Sequence, residues 1–543
     1  MSEWTIGAVL DAVADVVPDR TMTVCGSRRS TFAESADRTR RLANFLAGKG
    51  LGAHRERDTL ERWECGQDRV ALIMHNDLYT DMVIGCLKAR TVPVNINYNY
   101  TPREVAELLD YVQPRAVIYH RALGTKFADV LAPDSADLLV SVDDTSTAPQ
   151  LAGAVPLDDA LAQGETDQGV TGSPDDLLMI CTGGTTGRPK GVLWRQSDIY
   201  VSSMLGADHA SAQEIHDKAR AGGAPWFAVS PLMHAAGMWT AFAAITAGTT
   251  VVLYDTGKKL DPHSVWETAE REKVGMMTMV GDAYAAPLVA ELRRGQYDLS
   301  SLYAIGTGGA ATNPKYQRAL LELLPQMTLI NGYGSSETGN MGFGNNHGDT
   351  RTDTFTLREG GLVLSEDYSH FLAPGAQEVG WVAREGRIPL GYFNDADATR
   401  KAFPEVAGKR VVISGDRASL ESDGTLRFFG RDSLVVNTGG EKVFVEEVEE
   451  VLRAHPAIAD ALVVGRPSER WGEELVALVE LHDGAGTGHQ PLHAHCTAQL
   501  ARFKAPKEFI FVERVQRLGN GKADYRWAKR LAHQKAVISG AAK

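Results

Sequence analysis

From residue 69 onward, short apolar runs alternate with amphipathic stretches. Arg69 to Met74, Val92 to Ile96 and Ala116 to Tyr119 read as strands, with Tyr79 to Lys88 and Pro102 to Tyr111 as the helices between them. The rhythm returns after residue 176. Strands are expected near Leu177 to Cys181, Trp226 to Ser230, Thr250 to Tyr254, Gly275 to Val280, Leu302 to Ile305 and Thr328 to Asn331. Strands separated by helical patterns predict an α/β fold of parallel sheets covered by helices, with ligand sites at the carboxyl ends of the strands. Residues 355–429 change to short, turn-punctuated runs such as Gly361-Leu362-Val363-Leu364, which predict a small β-rich subdomain. A second α/β unit follows, with Val443 to Leu452 helical and Ala461 to Val464, Leu475 to Leu481 and Phe509 to Val512 as strands. The expected organisation is an N-terminal domain over 1–430, a hinge at 431–433 and a smaller C-terminal domain over 434–543. His54 to Gly66 and Ser211 to Gly223 read as polar surface insertions. Glu446-Glu447 and Glu449-Glu450 read as a solvated acidic helix face.

Ala235 to Tyr254 is free of charge over a span that could cross a membrane, but Gly237, Gly248 and Thr249-Thr250 mark it as a buried helix, a turn and a strand. A chain of 543 residues, 43% hydrophobic and 23% charged, is globular and large enough for two or more domains, which excludes a disordered or fibrous protein. Its net charge of −13, with no long basic stretch, argues against nucleic acid and anionic membranes as partners. Five cysteines without C-x-x-C spacing cannot pair completely within the chain, which points to a reduced, cytoplasmic compartment. Met1 to Arg20 lacks a basic leader and carries Asp11, Asp15 and Asp19, so it reads as an amphipathic helix and not a secretory signal.

Three loops carry candidate chemistry. Thr182-Gly183-Gly184-Thr185-Thr186-Gly187-Arg188-Pro189-Lys190 follows a strand. Its glycines let successive backbone N–H groups point inward, and its hydroxyls and Lys190 suit polyphosphate. The competing reading is a simple Gly/Thr hairpin. It is not a Walker A loop, because Pro189 precedes the lysine, Gly191 follows it, and Val192-Leu193-Trp194 reads as another strand. After the strand ending at Asn331, Gly332-Tyr333-Gly334-Ser335-Ser336-Glu337-Thr338-Gly339 places an aromatic between glycines, able to lie against a purine, before a carboxylate able to hold magnesium; an ordinary turn is the alternative. Ser414-Gly415-Asp416-Arg417 puts a carboxylate in a turn, where it either accepts ribose hydroxyls or caps the turn.

These loops, in this order, with Gly430-Arg431, Asn437-Thr438-Gly439-Gly440-Glu441-Lys442 and Gly519-Asn520-Gly521-Lys522 behind them, resemble the adenylate-forming superfamily of acyl-CoA synthetases, peptide-synthetase adenylation domains and beetle luciferases. Gly191 to Arg195, Asn437 to Val443 and Lys522 to Lys529 are similar to actinobacterial ligases of fatty acids and steroid side-chain acids. The resemblance implies a two-step reaction: a carboxylate attacks the α-phosphorus of ATP, and the thiol of CoA then displaces AMP. A carrier-protein phosphopantetheine is the alternative acceptor. It further implies that Thr182 to Lys190 hold the β- and γ-phosphates, and that Thr182 and Glu337 contact Mg2+. Tyr333 would stack on adenine beside Gly308-Gly309-Ala310, Ser336 would touch the α-phosphate, and Asp416 with Arg431 would hold the ribose. Lys522 would bridge the attacking carboxylate and the α-phosphate. Gly439, Gly440 and Lys442 would serve the thiol step. A homo-oligomer is compatible with this reading.

Two positions depart from the common pattern: the hinge residue is Ser433, and Asn437 stands where some relatives carry lysine. Pro231 to Gly237 matches the segment leading into the acyl pocket, with His234 where amino-acid-activating relatives place an aspartate. An α-ammonium would go unpaired there, so the expected acid is apolar. The small residues Gly306 to Gly309 leave room for bulk. His489, His493, His495 and Cys496 lie outside these motifs with no common zinc spacing.

Overall fold

The computed structural model describes residues 3–131, 136–144, 146–183, 189–309, 312, 314–346, 354–431, 435–516 and 524–540. The part of the chain before the C-terminal domain is organised around two large sheets with helices packed on them. The first has 14 strands, and its parallel centre runs Val251–Leu253, Trp226–Ala228, Met276–Met279, Ala304–Thr307, Thr328–Ser335. The second has eight strands. Pro189–Arg195, Leu177–Gly183, Val92–Asn95, Arg69–Ile73 and Ala116–His120 lie side by side in it. Ala228 and Leu253 of the first sheet share one apolar cluster with Leu72, Val94 and Met179 of the second, and with Met238 and Phe242 of helix Ala235–Thr246. The charge-free segment is thus a buried helix followed by a short strand, and no helix among the described residues is long and apolar enough to cross a membrane.

Alternation along strand Met276–Met279 sorts its two faces. Met277 and Met279 pack with Trp266, Leu288 and Leu320 of the outer helices, whereas Met276 and Thr278 point the other way and stay half-buried. The buried Asn76 links the sheets. Its amide donates to Ser230 O at 3.2 Å and Tyr254 O at 3.0 Å, and its Oδ1 accepts from Leu232 N at 2.7 Å.

The expected β-rich region is continuous with the first sheet. Gly339–Asn346 leads antiparallel through Thr354–Leu357 to Leu426–Arg431, Lys409–Leu420, Gly380–Glu385 and Gly361–Leu364, while the short strand Gly391–Tyr392 crosses to the second sheet. Ser211 to Gly223 is not a surface insertion. Helix Ala212–Ala221 buries Ile215 and Ala219 in the same core as Val9 and Val13 of helix Ile6–Val16.

The C-terminal domain is built on a five-stranded sheet with Gly472–Leu481 at its centre and Ile458–Ser468 paired along its edge. Helices Val445–Arg453 and His489–Gln499 cover one face and Tyr525–Gly540 the other. Val443 belongs to strand Glu441–Phe444, so the helix starts two residues later than its sequence pattern suggests. Nor is its acidic face simply solvated. Glu449 is buried and accepts from the Tyr525 hydroxyl at 3.0 Å, from Arg453 at 2.7 Å and from Val463 N at 2.8 Å. Two histidines of helix His489–Gln499 have partners within the domain: His489 lies edge-on to Phe509 and Phe511, and His495 Nε2 lies 2.9 Å from Val451 O.

Candidate active site

The phosphate-loop candidate connects two antiparallel strands, Leu177–Gly183 and Pro189–Arg195, in which Thr182 faces Lys190 across the ladder. Residues 184–188 (Gly184, Thr185, Thr186, Gly187 and Arg188) lie outside the described residues. Asn95, at the end of its strand, anchors the start of the hairpin: Oδ1 accepts from Cys181 N at 2.8 Å and Nδ2 donates to Met233 O at 2.7 Å. One side chain thereby sets the spacing between this hairpin and the segment carrying His234. The Trp194 indole, on the second strand, donates to Ser336 O at 2.8 Å and ties the hairpin to the Ser335-Ser336-Glu337 turn.

That turn interrupts the pair Thr328–Ser335 and Gly339–Asn346. A Cβ on Gly334 would lie 2.1 Å from Gly339 O, so only glycine lets these strands approach. Asn331 is buried in the same strand. Ser335 Oγ accepts from Thr338 N at 3.2 Å, so this hydroxyl holds the turn. Arg384 donates to Thr338 O at 2.7 Å and Asn340 O at 2.9 Å. Burial lowers its pKa to about 10, and it stays charged at neutral pH. Gly308 and Gly332 press together from neighbouring strands: a Cβ on Gly308 would sit 3.3 Å from Gly332 O. Bulk at 308 therefore pushes on the Tyr333 loop and does not simply narrow an acyl pocket.

Tyr333 is stacked on Phe355 with centroids 4.9 Å apart, and its hydroxyl donates to Asp416 Oδ2 at 2.7 Å. Asp416 is buried, and its backbone pairs with Arg431. The second and third loops are therefore one site. The hairpin joins it through Tyr392, whose hydroxyl donates to Glu337 Oε1 at 3.3 Å and whose ring carries the Lys190 ammonium 4.8 Å from its centroid.

His234 is the N-cap residue of helix Ala235–Thr246. Ala235, Ala236, Trp239 and Thr240 form the half-buried face of that helix. A Cβ on Gly309 would be 3.8 Å from Ala236 Cβ, and one on Gly306 would meet Thr278 Cγ2 at 3.0 Å. The C-terminal domain docks here. Gly440 has φ +85°, and a Cβ on it would lie 2.8 Å from Val280 Cγ1, so the loop lies flat against the N-terminal domain. Gly439 N donates to Trp471 O at 2.9 Å. Glu441 Oε1 lies 3.2 Å from His234 Nε2, and its carboxylate also accepts from Asn97 at 3.2 Å and Asn99 at 3.3 Å. Burial opposes charge on the imidazole, but Glu441 outweighs it and raises the His234 pKa, with Lys442 opposing. Burial likewise opposes charge on Glu441, and His234 with the two amides outweighs it and lowers that pKa.

Ala310 and Lys522 lie outside the described residues, as does the hinge position Ser433. Thr182 with Lys190, Tyr333 with Glu337, Asp416 and His234 come from four separate stretches of chain, which these contacts link to one another.

The sequence profile described as AMP-binding enzyme matches residues 10–360, and that of its C-terminal domain matches 447–522. The chain belongs to the AMP-binding enzyme family. It is 43% identical over 541 residues to the medium-chain acyl-CoA ligase Mig of Mycobacterium avium, covering 97% of this chain and 98% of that one. It is 34% identical over 544 residues to the 3-oxocholest-4-en-26-oate–CoA ligase of Rhodococcus rhodochrous, covering 96% and 95%. Among solved structures, the amide bond synthetase McbA from Marinactinospora thermotolerans superposes with a TM-score of 0.78 at 23% identity over 96% of this chain and 99% of that one, which establishes the common fold. The superfamily resemblance and the expected fold are both borne out. Sequence motifs did not single out Asn95, Arg384 or Tyr392 in this AMP-binding enzyme. Of these, only Tyr392 had a local signal, the pair Gly391-Tyr392 before Asn394 and Asp395.

Proposed function

We propose that this chain adenylates an apolar carboxylic acid, a fatty acid or a steroid side-chain acid, and passes the acyl group to CoA, releasing AMP and pyrophosphate. The observation that carries this reading is the docking of Gly439 and Gly440 on Val280 beside His234, which brings a loop without side-chain bulk up to the acyl region. The names of the two ligases above favour CoA over a carrier protein. So does a cationic patch on a chain of net charge −13. The Trp471 ring lies 4.5 Å from the Arg470 guanidinium and 5.7 Å from the Lys507 ammonium. The Lys507 pKa is lowered by burial and by Arg470 and Arg502. Two cations against an indole, with Arg502 acting on one of them, suit a phosphorylated adenine nucleotide.

In the first step an acid oxygen bonds to the α-phosphorus of ATP while the bond to the β-phosphate oxygen breaks. Lys190 and the backbone of residues 182–190 hold the phosphates, Asp416 and Arg431 the ribose, and Tyr333 with Gly308 to Ala310 the adenine. Thr182 and Glu337 supply hard oxygens suited to Mg2+, which would neutralise phosphate charge when bound. Lys522 approaches the reacting oxygens in this step only. In the second step the C-terminal domain, 434–543, turns about 431–433 into the orientation seen here. The CoA sulfur then bonds to the acyl carbon as the bond to the AMP oxygen breaks and the thiol proton leaves. Helix face Ala235 to Thr240, with Met276, offers apolar contact and no carboxylate, in keeping with an acid that lacks an α-ammonium.

The test is acyl transfer across short, medium and long fatty acids, steroid acids, aromatic acids and amino acids, each with CoA or a panel of carrier proteins. Apolar acids with CoA should react fastest. Faster transfer to any carrier protein, or faster activation of an amino acid, would overturn the reading.

A further inference from the structure

The C-terminal domain reaches the N-terminal domain at a second place, away from the nucleotide. Lys504 is buried, yet its ammonium meets charge on both sides of the domain interface. Its Nζ forms an ion pair with Glu104 Oε1 at 2.8 Å and donates to Glu447 Oε1 at 2.9 Å. The same ammonium stands 4.7 Å from the centroid of the Tyr100 ring, and Tyr100 stacks on Phe503 at 6.4 Å. Glu447 and Lys504 belong to the C-terminal domain, Tyr100 and Glu104 to the N-terminal one.

The fold prepares Glu104 for this contact. Thr101-Pro102-Arg103-Glu104 opens helix Pro102–Val112 with a capping box, in which Glu104 Oε2 accepts from Thr101 N at 2.8 Å and Thr101 Oγ1 at 2.9 Å. One carboxylate oxygen is thus committed to the helix end, which fixes the rotamer and aims the other at Lys504. The segment is continuous with Asn97 and Asn99, which hold Glu441, so residues 97–104 receive the docked domain at two points.

We propose that Lys504 is a positioning residue for the thiol-transfer step, pairing with Glu104 only when the C-terminal domain presents Gly439 and Gly440 to the acyl region. This rests on the two-step reading above. When the domain turns away, Lys504 and Glu447 travel together and stay paired, while Glu104 keeps its bonds to Thr101. The Glu104 contact and the Tyr100 face are what distinguish the two orientations, and an interaction made in one of two states shifts the population toward it. A buried ammonium between two carboxylates is also intolerant of losing either one.

The experiment uses the full chain with Lys504→Met, Lys504→Arg and Glu104→Gln. Acyl-adenylate formation from ATP and acid, and thioester formation from synthetic acyl-adenylate and CoA, are measured separately, together with the distance between a spin label on each domain. Glu104→Gln leaves Lys504 paired with Glu447, so it tests the interface without unpairing the C-terminal domain. Lys504→Met and Glu104→Gln should slow thioester formation by about tenfold or more while adenylation holds, and should depopulate the docked distance. Lys504→Arg should recover part of the loss. Equal loss in both half-reactions, or unchanged thioester formation in both Lys504→Met and Glu104→Gln, overturns the assignment. A wild-type chain that forms adenylate but no acyl-CoA overturns the ligase reading itself.

Discussion

Glu441 Oε1 lies 3.2 Å from His234 Nε2, which ties the loop of the C-terminal domain to the N-terminus of helix Ala235–Thr246. His234 has its pKa raised in this pair and Glu441 has its lowered. On the histidine side, the docking free energy is fully present below the ordinary imidazole pKa and is lost as pH rises through the raised value. On the glutamate side it is present above the ordinary carboxyl pKa and is lost as pH falls through the depressed value. Thioester formation should therefore fall on the alkaline side as His234 deprotonates. Glu441→Gln should move that limb to lower pH and leave the profile of adenylation in place. Identical thioester profiles for wild type and Glu441→Gln would count against the pair.

Tyr333 and Asp416 are joined by a hydrogen bond, and the proposed function makes them one unit for holding the nucleotide. Asp416→Ala should weaken ATP binding by about 1.5–3 kcal/mol, the range for hydrogen bonds to a charged group, as measured by calorimetry. Tyr333→Phe keeps the ring on Phe355 and removes only the donor, so it should cost less than Asp416→Ala. The reverse order would mean that the carboxylate serves the turn and not the ribose.

Tyr392 offers two separable contacts, its hydroxyl to Glu337 and its ring to Lys190. Tyr392→Phe should raise the Mg2+ concentration needed for half-maximal adenylation with little change in ATP affinity. Tyr392→Leu should also weaken ATP binding, by about 0.5–1 kcal/mol for a lost partly exposed cation–π contact. Titrations of Mg2+ and ATP on both variants separate the two effects.

The legible part of this fold is what period and punctuation encode locally. The βα rhythm from Arg69 to His120 was readable because each strand there is a short apolar run buried on both faces. The candidate phosphate loop was recognisable as a strand–loop–strand unit from Pro189, Gly191 and the apolar run Val192-Leu193-Trp194. What escaped was set by partners distant in sequence. Glu447 and Glu449 look like solvated charge until Lys504 and Tyr525 fold against them. Asn76 and Asn95 are unremarkable polar residues until two sheets meet around them. Helix Ala212–Ala221 reads as a polar insertion because only Ile215 and Ala219 face its neighbour.

Gly440 combines φ +85° with a Cβ position 2.8 Å from Val280 Cγ1. Gly440→Ala should disfavour the docked loop by about 1–2 kcal/mol through backbone strain, slowing thioester formation about five- to thirtyfold. Adenylation, which uses the other orientation, should be spared. Stopped-flow rates of the two half-reactions decide it.

In the proposed mechanism one chain performs adenylation and thiol transfer with different faces of its C-terminal domain. The most direct test is Lys522→Ala assayed in both half-reactions. Loss of one preorganised cation should slow acyl-adenylate formation from ATP and acid by about 10²–10³-fold. The same variant, given synthetic acyl-adenylate and CoA, should form acyl-CoA at the wild-type rate, because Gly439, Gly440 and Glu441 occupy the site in that step. A comparable collapse of both rates would contradict the account.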